Sequence, residues 1–324
     1  MRYPWLERPW DEFAARLEQD RLPHALLVSG PGGTGKSSLV ADMMSGLLCL
    51  QTGEGGGAEA CGTCRSCRLL ASGAHPDRFV VEPEEGKRLI TVKMVRGLIG
   101  QMMLTTTISP RKVALIAPAE AMNASAANAL LKTLEEPLGQ AVIILLSHDP
   151  SRLPATIRSR CQLVAVHAPE PKAAVNWLVE SSELDPDSAA LALEATAGSP
   201  LRAAALAGTE ELERYRQLLG QLETLVGKPS QVSALAAALV GLEDRDLLWT
   251  WLSLAARKAL EGALVAGAVA WPDTPYTLPP ARLADLQRRA DRSRKLLSTT
   301  VRQDLLIQEW LIEWARLPAR EPTR

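Results

Sequence analysis

Ala25-Leu26-Leu27-Val28-Ser29-Gly30-Pro31-Gly32-Gly33-Thr34-Gly35-Lys36-Ser37-Ser38-Leu39-Val40 is the stretch that decides the fold. Its apolar opening reads as a buried parallel strand, its glycines as a tight loop, and its continuation as a helix. The loop fits G-x-x-x-x-G-K-[ST] in the strand–loop–helix setting that this pattern requires. Glycine lets backbone N–H groups approach phosphate oxygens, and the helix N-terminus adds partial positive charge. Gly30, Gly33, Thr34 and Gly35 would form the cradle, Lys36 would reach the β- and γ-phosphates, and the Ser37 hydroxyl would ligate magnesium. ATP or ADP with magnesium is the expected ligand. Binding is not hydrolysis, however, and the acids that separate the two must come from elsewhere in the chain.

Working outward, strand-like and helix-like segments alternate. Phe79–Val81, Val113–Ile116, Ala141–Leu146 and Gln162–Val166 read as strands, with Ala141–Leu146 too continuously apolar for a half-exposed one. Asp11–Gln19, Thr91–Thr105 and Asn123–Glu135 read as amphipathic helices, the last ended by Pro137. Alternation of this kind predicts an α/β parallel sheet with right-handed crossovers. Ala168-Pro169-Glu170-Pro171 is a natural break, and beyond it nothing resembles a strand. The expected organisation is a P-loop domain over 1–167, a small helical lid over 168–208 and an all-α domain over 209–324. A proline-rich interruption at Trp271–Pro280 precedes a single long final helix over Ala281–Leu317.

Composition narrows the function classes. The 324 residues are 47% hydrophobic and 23% charged, with a net charge of −1, so no global field attracts nucleic acid. No apolar run is long enough to cross a bilayer, and the N-terminus carries charges and prolines where a signal peptide needs an apolar core. A cytoplasmic location without membrane attachment is the expectation. Four of the five cysteines, Cys49, Cys61, Cys64 and Cys67, follow C-x11-C-x2-C-x2-C. Clustered thiols in a reducing compartment favour metal over disulfides, and four thiolates suit a closed, structural zinc site over 49–67. His75, before Pro76, reads as a loop residue and not as a further ligand.

A P-loop ATPase needs an acid at the tip of a neighbouring strand for the magnesium shell, followed by a glutamate that polarises the attacking water. After Val113–Ile116 come Ala117 and Pro118, which can do neither, and Glu120 lies past the proline as a poor substitute. Asn128-Ala129-Leu130-Leu131-Lys132-Thr133-Leu134-Glu135-Glu136-Pro137 and Leu153-Pro154-Ala155-Thr156-Ile157-Arg158-Ser159-Arg160-Cys161 resemble the signature stretches of bacterial DNA polymerase III clamp-loader AAA+ subunits. The cysteine module is similar to the zinc module of the same family. The resemblance covers the first two domains. The last third matches only in being helical.

The resemblance implies more than the residues alone do. Arg160 corresponds to the arginine finger that the family inserts into the ATP site of an adjacent subunit, with Arg158 a structural neighbour. Ser147 matches the polar sensor position, and Arg202, in Gly198-Ser199-Pro200-Leu201-Arg202, the lid arginine that touches nucleotide phosphates. The missing acids point to a member that does not hydrolyse ATP, since the motor subunits keep the acidic pair. Such a subunit of a DNA-directed DNA polymerase (nucleotidyltransferase) holoenzyme would act in DNA replication. Its partners would be gamma/tau-type motors and a delta-type subunit, and through them the sliding clamp and primer–template DNA. An active motor of the same complex, using Glu120 or Asp149, is the alternative; a P-loop nucleotide kinase is opposed by the cysteine module and the Ser-Arg-Cys stretch.

The final helix holds Arg288, Arg289, Arg292, Arg294, Lys295 and Arg302, which read first as a solvated basic face and second as a contact for DNA or an acidic partner. Trp310 and Trp314, one turn apart, are expected at a subunit interface because the family's third domain forms a collar.

Overall fold

A computed structural model describes residues 2–52, 57–136, 139–182, 184–242, 244–265 and 278–317. The chain divides into two compact units, Met1–Pro169 and Glu170–Arg324.

The first unit contains α1 (Glu7–Glu18), β1 (Ala25–Ser29), α2 (Lys36–Leu48), α3 (Arg65–Ala71), β2 (Arg78–Val81), α4 (Val92–Met102), β3 (Lys112–Ile116), α5 (Ala124–Glu135), β4 (Ala141–Ser147), α6 (Ala155–Arg158) and β5 (Gln162–Ala165). The strands form one parallel sheet in the order β2-β3-β4-β1-β5. β4 is the middle strand and is buried along its whole length, which is why its sequence is unbroken apolar. One face of the sheet packs Ala25, Leu27, Ala114 and Ile143 against α4 and α5 through Val95, Leu98, Leu130 and Leu134. The other packs Leu26, Val28, Val142 and Ile144 against α1 and α2 through Phe13, Leu17, Leu39 and Met43. α5 begins where Asn123 Oδ1 accepts from the Ala126 N–H at 2.8 Å; Pro137, expected to end this helix, lies outside the described residues.

This topology sets the site. All strands are parallel, so the loops after β1, β3 and β4 meet along the sheet's C-terminal edge, where open α/β sheets bind ligands. Ser29 and Ser147 are register partners at that edge.

The second unit is all helical among the described residues: α7 (Pro171–Ser182), α8 (Pro186–Ala195), α9 (Pro200–Leu206), α10 (Glu210–Leu225), α11 (Val232–Val240), α12 (Arg245–Leu264), α13 (Pro280–Lys295) and α14 (Gln303–Ala315). Leu178, Ala192 and Ala203 share one buried core with Tyr215, Trp251, Leu286 and Trp314. The single final helix expected over Ala281–Leu317 is two helices. The chain leaves α13 through a short 3₁₀ turn, Leu296–Ser298, and Thr299 adopts an extended conformation (φ −108°, ψ 174°) with its hydroxyl on the Leu296 carbonyl at 2.7 Å. Ser298-Thr299-Thr300-Val301 disfavours helix by β-branching and by side-chain bonds to the local backbone, and α14 returns along α13. The longest helix is α12.

Trp310 and Trp314 are also reassigned. Both are buried, their rings stack at 5.3 Å, and their indole N–H groups donate to the carbonyls of Leu286 (2.9 Å) and Leu222 (2.8 Å). Each polar edge is satisfied inside the fold, so the pair belongs to the unit's own core and not to an interface. Trp271 and most of the proline-rich interruption lie outside the described residues.

Candidate nucleotide-binding site and cysteine centre

The phosphate loop is shaped by close approaches that only glycine tolerates. Gly30 has φ +157°, and a Cβ there would lie 1.9 Å from the Val166 carbonyl oxygen, just past the end of β5. Gly35, the residue before α2, has φ +81°, and its Cβ would lie 2.6 Å from the Tyr3 ring. Gly33 also adopts positive φ. Two N-terminal aromatics, on which the sequence motif is silent, hold the loop from outside: Trp5 Nε1 donates to the Thr34 carbonyl at 2.8 Å, and the Tyr3 and Trp5 rings stack at 5.3 Å. Thr34 donates through Oγ1 to the Pro31 carbonyl at 3.0 Å.

Lys36, 2% exposed, donates its ammonium to the same Pro31 carbonyl. Burial lowers its pKa to about 8, with the negative charge of Glu120 pulling the other way. Ser37 is exposed on the first turn of α2. At the end of β4 the Ser147 hydroxyl is buried and has no hydrogen-bond partner.

Glu120 departs from expectation. It follows Pro118 in a single 3₁₀ turn, Ala119–Ala121, which turns its side chain back toward the sheet edge. Its Oε1 accepts from the backbone N–H groups of His148 (2.9 Å) and Asp149 (3.3 Å), while Oε2 is buried without a partner. Surrounding protein and the Lys36 charge lower the His148 pKa, and Glu120 opposes that shift. Lys36, Ser147, His148 and Glu120 therefore converge on one place, so Glu120, read from the sequence as a poor substitute for the strand-tip acid, stands at the same edge as the loop. These residues fit a bound nucleotide: the loop is spare of side chains, and two buried polar oxygens lack partners that a hydrated magnesium–phosphate group would supply. When bound, that group would bring the transferable phosphates and the metal charge, and the residues placed to hold it would be the loop N–H groups, Lys36 and Ser37.

Arg160 lies at the other end of the sheet, just before the start of β5, whereas the phosphate loop follows the end of β1. Its Nε donates to Glu135 Oε1 at 2.7 Å and its NH1 to the Thr156 carbonyl at 3.0 Å. Neighbouring Cys161 is separate from the cysteine cluster, and burial raises its thiol to about 11. Arg202 is in the second unit, with NH2 3.6 Å from Asp246 Oδ2; the Asp246 carboxylate is also gripped by Arg294 at 2.6 and 2.8 Å. The other named basic residues are largely paired on the surface, Arg288 and Arg289 with Asp285, Arg289 also with Glu309, and Arg302 with Asp304, which fits a solvated face.

The sulfur atoms of Cys49, Cys61, Cys64 and Cys67 all lie within 4.8 Å of one another, with Cys49–Cys64 and Cys61–Cys67 at 3.9 Å. Tetrahedral zinc with bonds of about 2.3 Å separates its sulfurs by about 3.8 Å, so the set fits that ion. Backbone N–H groups of Gln51 and Cys61 point at the Cys49 sulfur (both 3.4 Å), that of Cys64 at Cys61 (3.3 Å) and that of Cys67 at Cys64 (3.4 Å). Such bonds favour thiolate; N–H groups of Thr63 and Cys64 bring Cys61 down to about 6.

The structure keeps His75 out of that cluster and gives it a role the sequence hid. It is buried, and its Nε2 lies 2.8 Å from Ser66 Oγ and 3.1 Å from Ser109 Oγ; both hydroxyls donate to the Leu48 carbonyl at 2.6 Å. Asp77, also buried, accepts from the N–H groups of Thr107, Ile108 and Ser109 at 2.8–2.9 Å. The network ties the cysteine module to the end of α2 and the β3 approach. Serine, histidine and aspartate occur together here, but all three are sealed from solvent and spent on structure.

The family model described as "DNA polymerase III, delta subunit" matches residues 5–170. DNA polymerase III subunit delta' of Pseudomonas aeruginosa is 43% identical over 77% of this chain and 74% of its own, and that of Escherichia coli K12 is 33% identical over 96% and 94%. A solved Thermotoga maritima protein, described as DNA polymerase III gamma subunit-related, aligns over 96% of this chain and 99% of its own at 17% identity with a TM-score of 0.45. On the family match and the two sequence relatives, the chain belongs to the delta' subunit family of DNA polymerase III.

Proposed function

We propose that this chain is a non-hydrolysing AAA+ subunit of the DNA polymerase III clamp loader. It helps load the sliding clamp onto primed DNA and supplies Arg160 to the ATP site of a neighbouring gamma/tau-type motor, alongside a delta-type subunit. The observation that carries this reading is the strand tip at Ala117-Pro118, which offers no acid beside a complete phosphate loop. A water-activating carboxylate is needed for turnover. Asp149, the other acid near that edge, is occupied with Ser151 through its Oδ1. Arg160 sits at the sheet end remote from the chain's own loop, which supports service in trans. The loop itself holds ATP or ADP with magnesium, Arg202 belongs to the lid that closes on the phosphates, and Cys49, Cys61, Cys64 and Cys67 hold a structural zinc ion. No helix among the described residues is long and apolar enough to cross a membrane, in keeping with work in the cytoplasm. The three-domain division at 168 and 209 belongs to this reading too.

The test is steady-state ATPase on the isolated chain and on the complex reconstituted with its partner subunits. The isolated chain is expected to show no turnover above background. Turnover by the isolated chain that disappears in Lys36→Ala would establish the alternative, an active motor.

A further inference from the structure

The strand tip that should carry the magnesium acid is empty of charge, yet a carboxylate stands at the same edge from a different position. Glu120 is held by two main-chain N–H groups through Oε1, so the direction of its second oxygen is fixed. That oxygen is buried and has no donor. A buried, unpaired carboxylate oxygen is costly unless a cation or its water completes it. Close by are the buried Ser147 hydroxyl, likewise without a partner, and Lys36, whose ammonium has only the Pro31 carbonyl as its hydrogen-bond acceptor. Asp149 differs: it is exposed and turned to Ser151 through Oδ1, and it presents no buried, unpartnered oxygen as Glu120 does.

We propose that Glu120 is the acid that faces the magnesium hydration shell when a magnesium–nucleotide occupies the phosphate loop, replacing the carboxylate absent at Ala117 and Pro118. The geometry provides one fixed acid with a buried oxygen for binding and, among the described residues, no second one like it to polarise water, so it serves retention of nucleotide and not its cleavage. Oε2 would be free to accept from the hydration shell while Oε1 keeps its two N–H donors, and Lys36 would be available to the phosphates in place of Pro31. The inference rests on the reading that the loop binds nucleotide.

The test is titration of the full-length chain with a fluorescent ADP analogue and with ADP, in magnesium and in EDTA. Magnesium is expected to tighten wild-type binding by about tenfold or more. Glu120→Gln, which can still accept from His148 and Asp149, is expected to lose most of that increment and to bind as well as wild type, or better, in EDTA. Glu120→Asp, with its charge one methylene further back, is expected to keep part of the increment. Thermal melting checks that both variants are folded. An unchanged magnesium increment in folded Glu120→Gln overturns the role of Glu120 while leaving nucleotide binding intact. Absence of binding by wild type in either buffer overturns both.

Discussion

The Arg160 guanidinium is held 2.7 Å from the Glu135 carboxylate, and both side chains lie within the two signature stretches that define the family resemblance. The bond fixes the arginine's direction, and the pair is exposed enough for a partner subunit to reach. A partly exposed ion pair of this kind contributes little to stability, about 1 kcal/mol or less. Arg160→Ala is therefore expected to leave the melting temperature of the isolated chain nearly unchanged. In the reconstituted complex the same substitution is expected to lower ATPase by about two orders of magnitude or more, since arginine fingers contribute on that scale. Glu135→Gln should fall between, by loosening the guanidinium without removing it. ATPase of the complex beside a melting curve of the lone chain checks both. An unaffected complex would sink the finger assignment.

The buried Lys36 predicts a pH dependence of nucleotide binding with a definite sign. Burial holds its pKa at about 8 in the free protein, so it is part neutral in mildly alkaline solution. A bound phosphate stabilises the charged form and raises that pKa, so binding takes up a proton there. Affinity is expected to fall above pH 8, by at most about tenfold per pH unit, and to flatten below pH 7. For the free chain the sign of stability is opposite. A lysine lowered from 10.5 to about 8 leaves the unfolded state with more protons between those values, so this group's contribution to stability rises with pH across that window. Calorimetric titration at pH 8.5 in buffers of different ionisation enthalpy measures the proton uptake, and its absence would exclude the buried-lysine account.

The legible parts of the molecule were those where a local rule and the tertiary fold agree. The inner strands β1, β3 and β4 follow from runs whose burial demands continuous apolar residues, β4 most clearly, whereas the edge strands β2 and β5 are short and largely exposed and show only a few apolar residues. The phosphate loop and cysteine cluster follow from spacings that chemistry restricts tightly. Glu120 escaped because distance along the chain is a poor guide across a short 3₁₀ turn: its partners are the N–H groups of another loop. His75, Ser66 and Asp77 escaped because nothing periodic marks a buried polar network. Trp310 and Trp314 were misjudged because helical spacing says that two rings share a face, not what covers it. The break between α13 and α14 was present in the sequence as Ser298-Thr299-Thr300-Val301, but β-branching alone is a weak stop signal inside an otherwise favourable pattern.

The cysteine centre predicts a single zinc ion per chain. Cys49 follows the last turn of α2 directly and Cys64 caps α3, with its sulfur accepting from the Cys67 N–H. The ion would thus fasten the far end of the phosphate-loop helix. Cys64→Ser is expected to release zinc and lower the melting temperature by several degrees, because metal binding free energy is folding free energy in such modules. Atomic absorption or native mass spectrometry gives the stoichiometry and calorimetry the melting shift. A chain that retains its melting temperature after complete zinc removal would show that the four sulfurs meet for another reason.

Asp77 should be among the most costly polar positions to alter in the first unit. It is fully buried, and burial by itself would raise its pKa, but the N–H groups of Ser109, Ile108 and Thr107 outweigh that and bring it below the ordinary carboxylate value. Burial lowers the His75 pKa, which favours the neutral ring, and its Nδ1 accepts the Asp77 N–H at 3.1 Å. Asp77→Ala strands three N–H donors and is expected to destabilise the chain by about 2–4 kcal/mol. Asp77→Asn keeps an acceptor but turns one oxygen into a donor facing N–H groups, so it should cost nearly as much. The sign with pH follows from the lowered acid: its stabilisation is present above the unfolded carboxylate pKa near 4 and is lost as pH falls through the lower folded value. The wild type should therefore lose stability below about pH 4 more steeply than Asp77→Asn, whose amide does not titrate. Denaturant unfolding at pH 7 and at stepped acid pH measures both effects. Parallel acid slopes for the two proteins would mean that this carboxylate is not what the acid attacks.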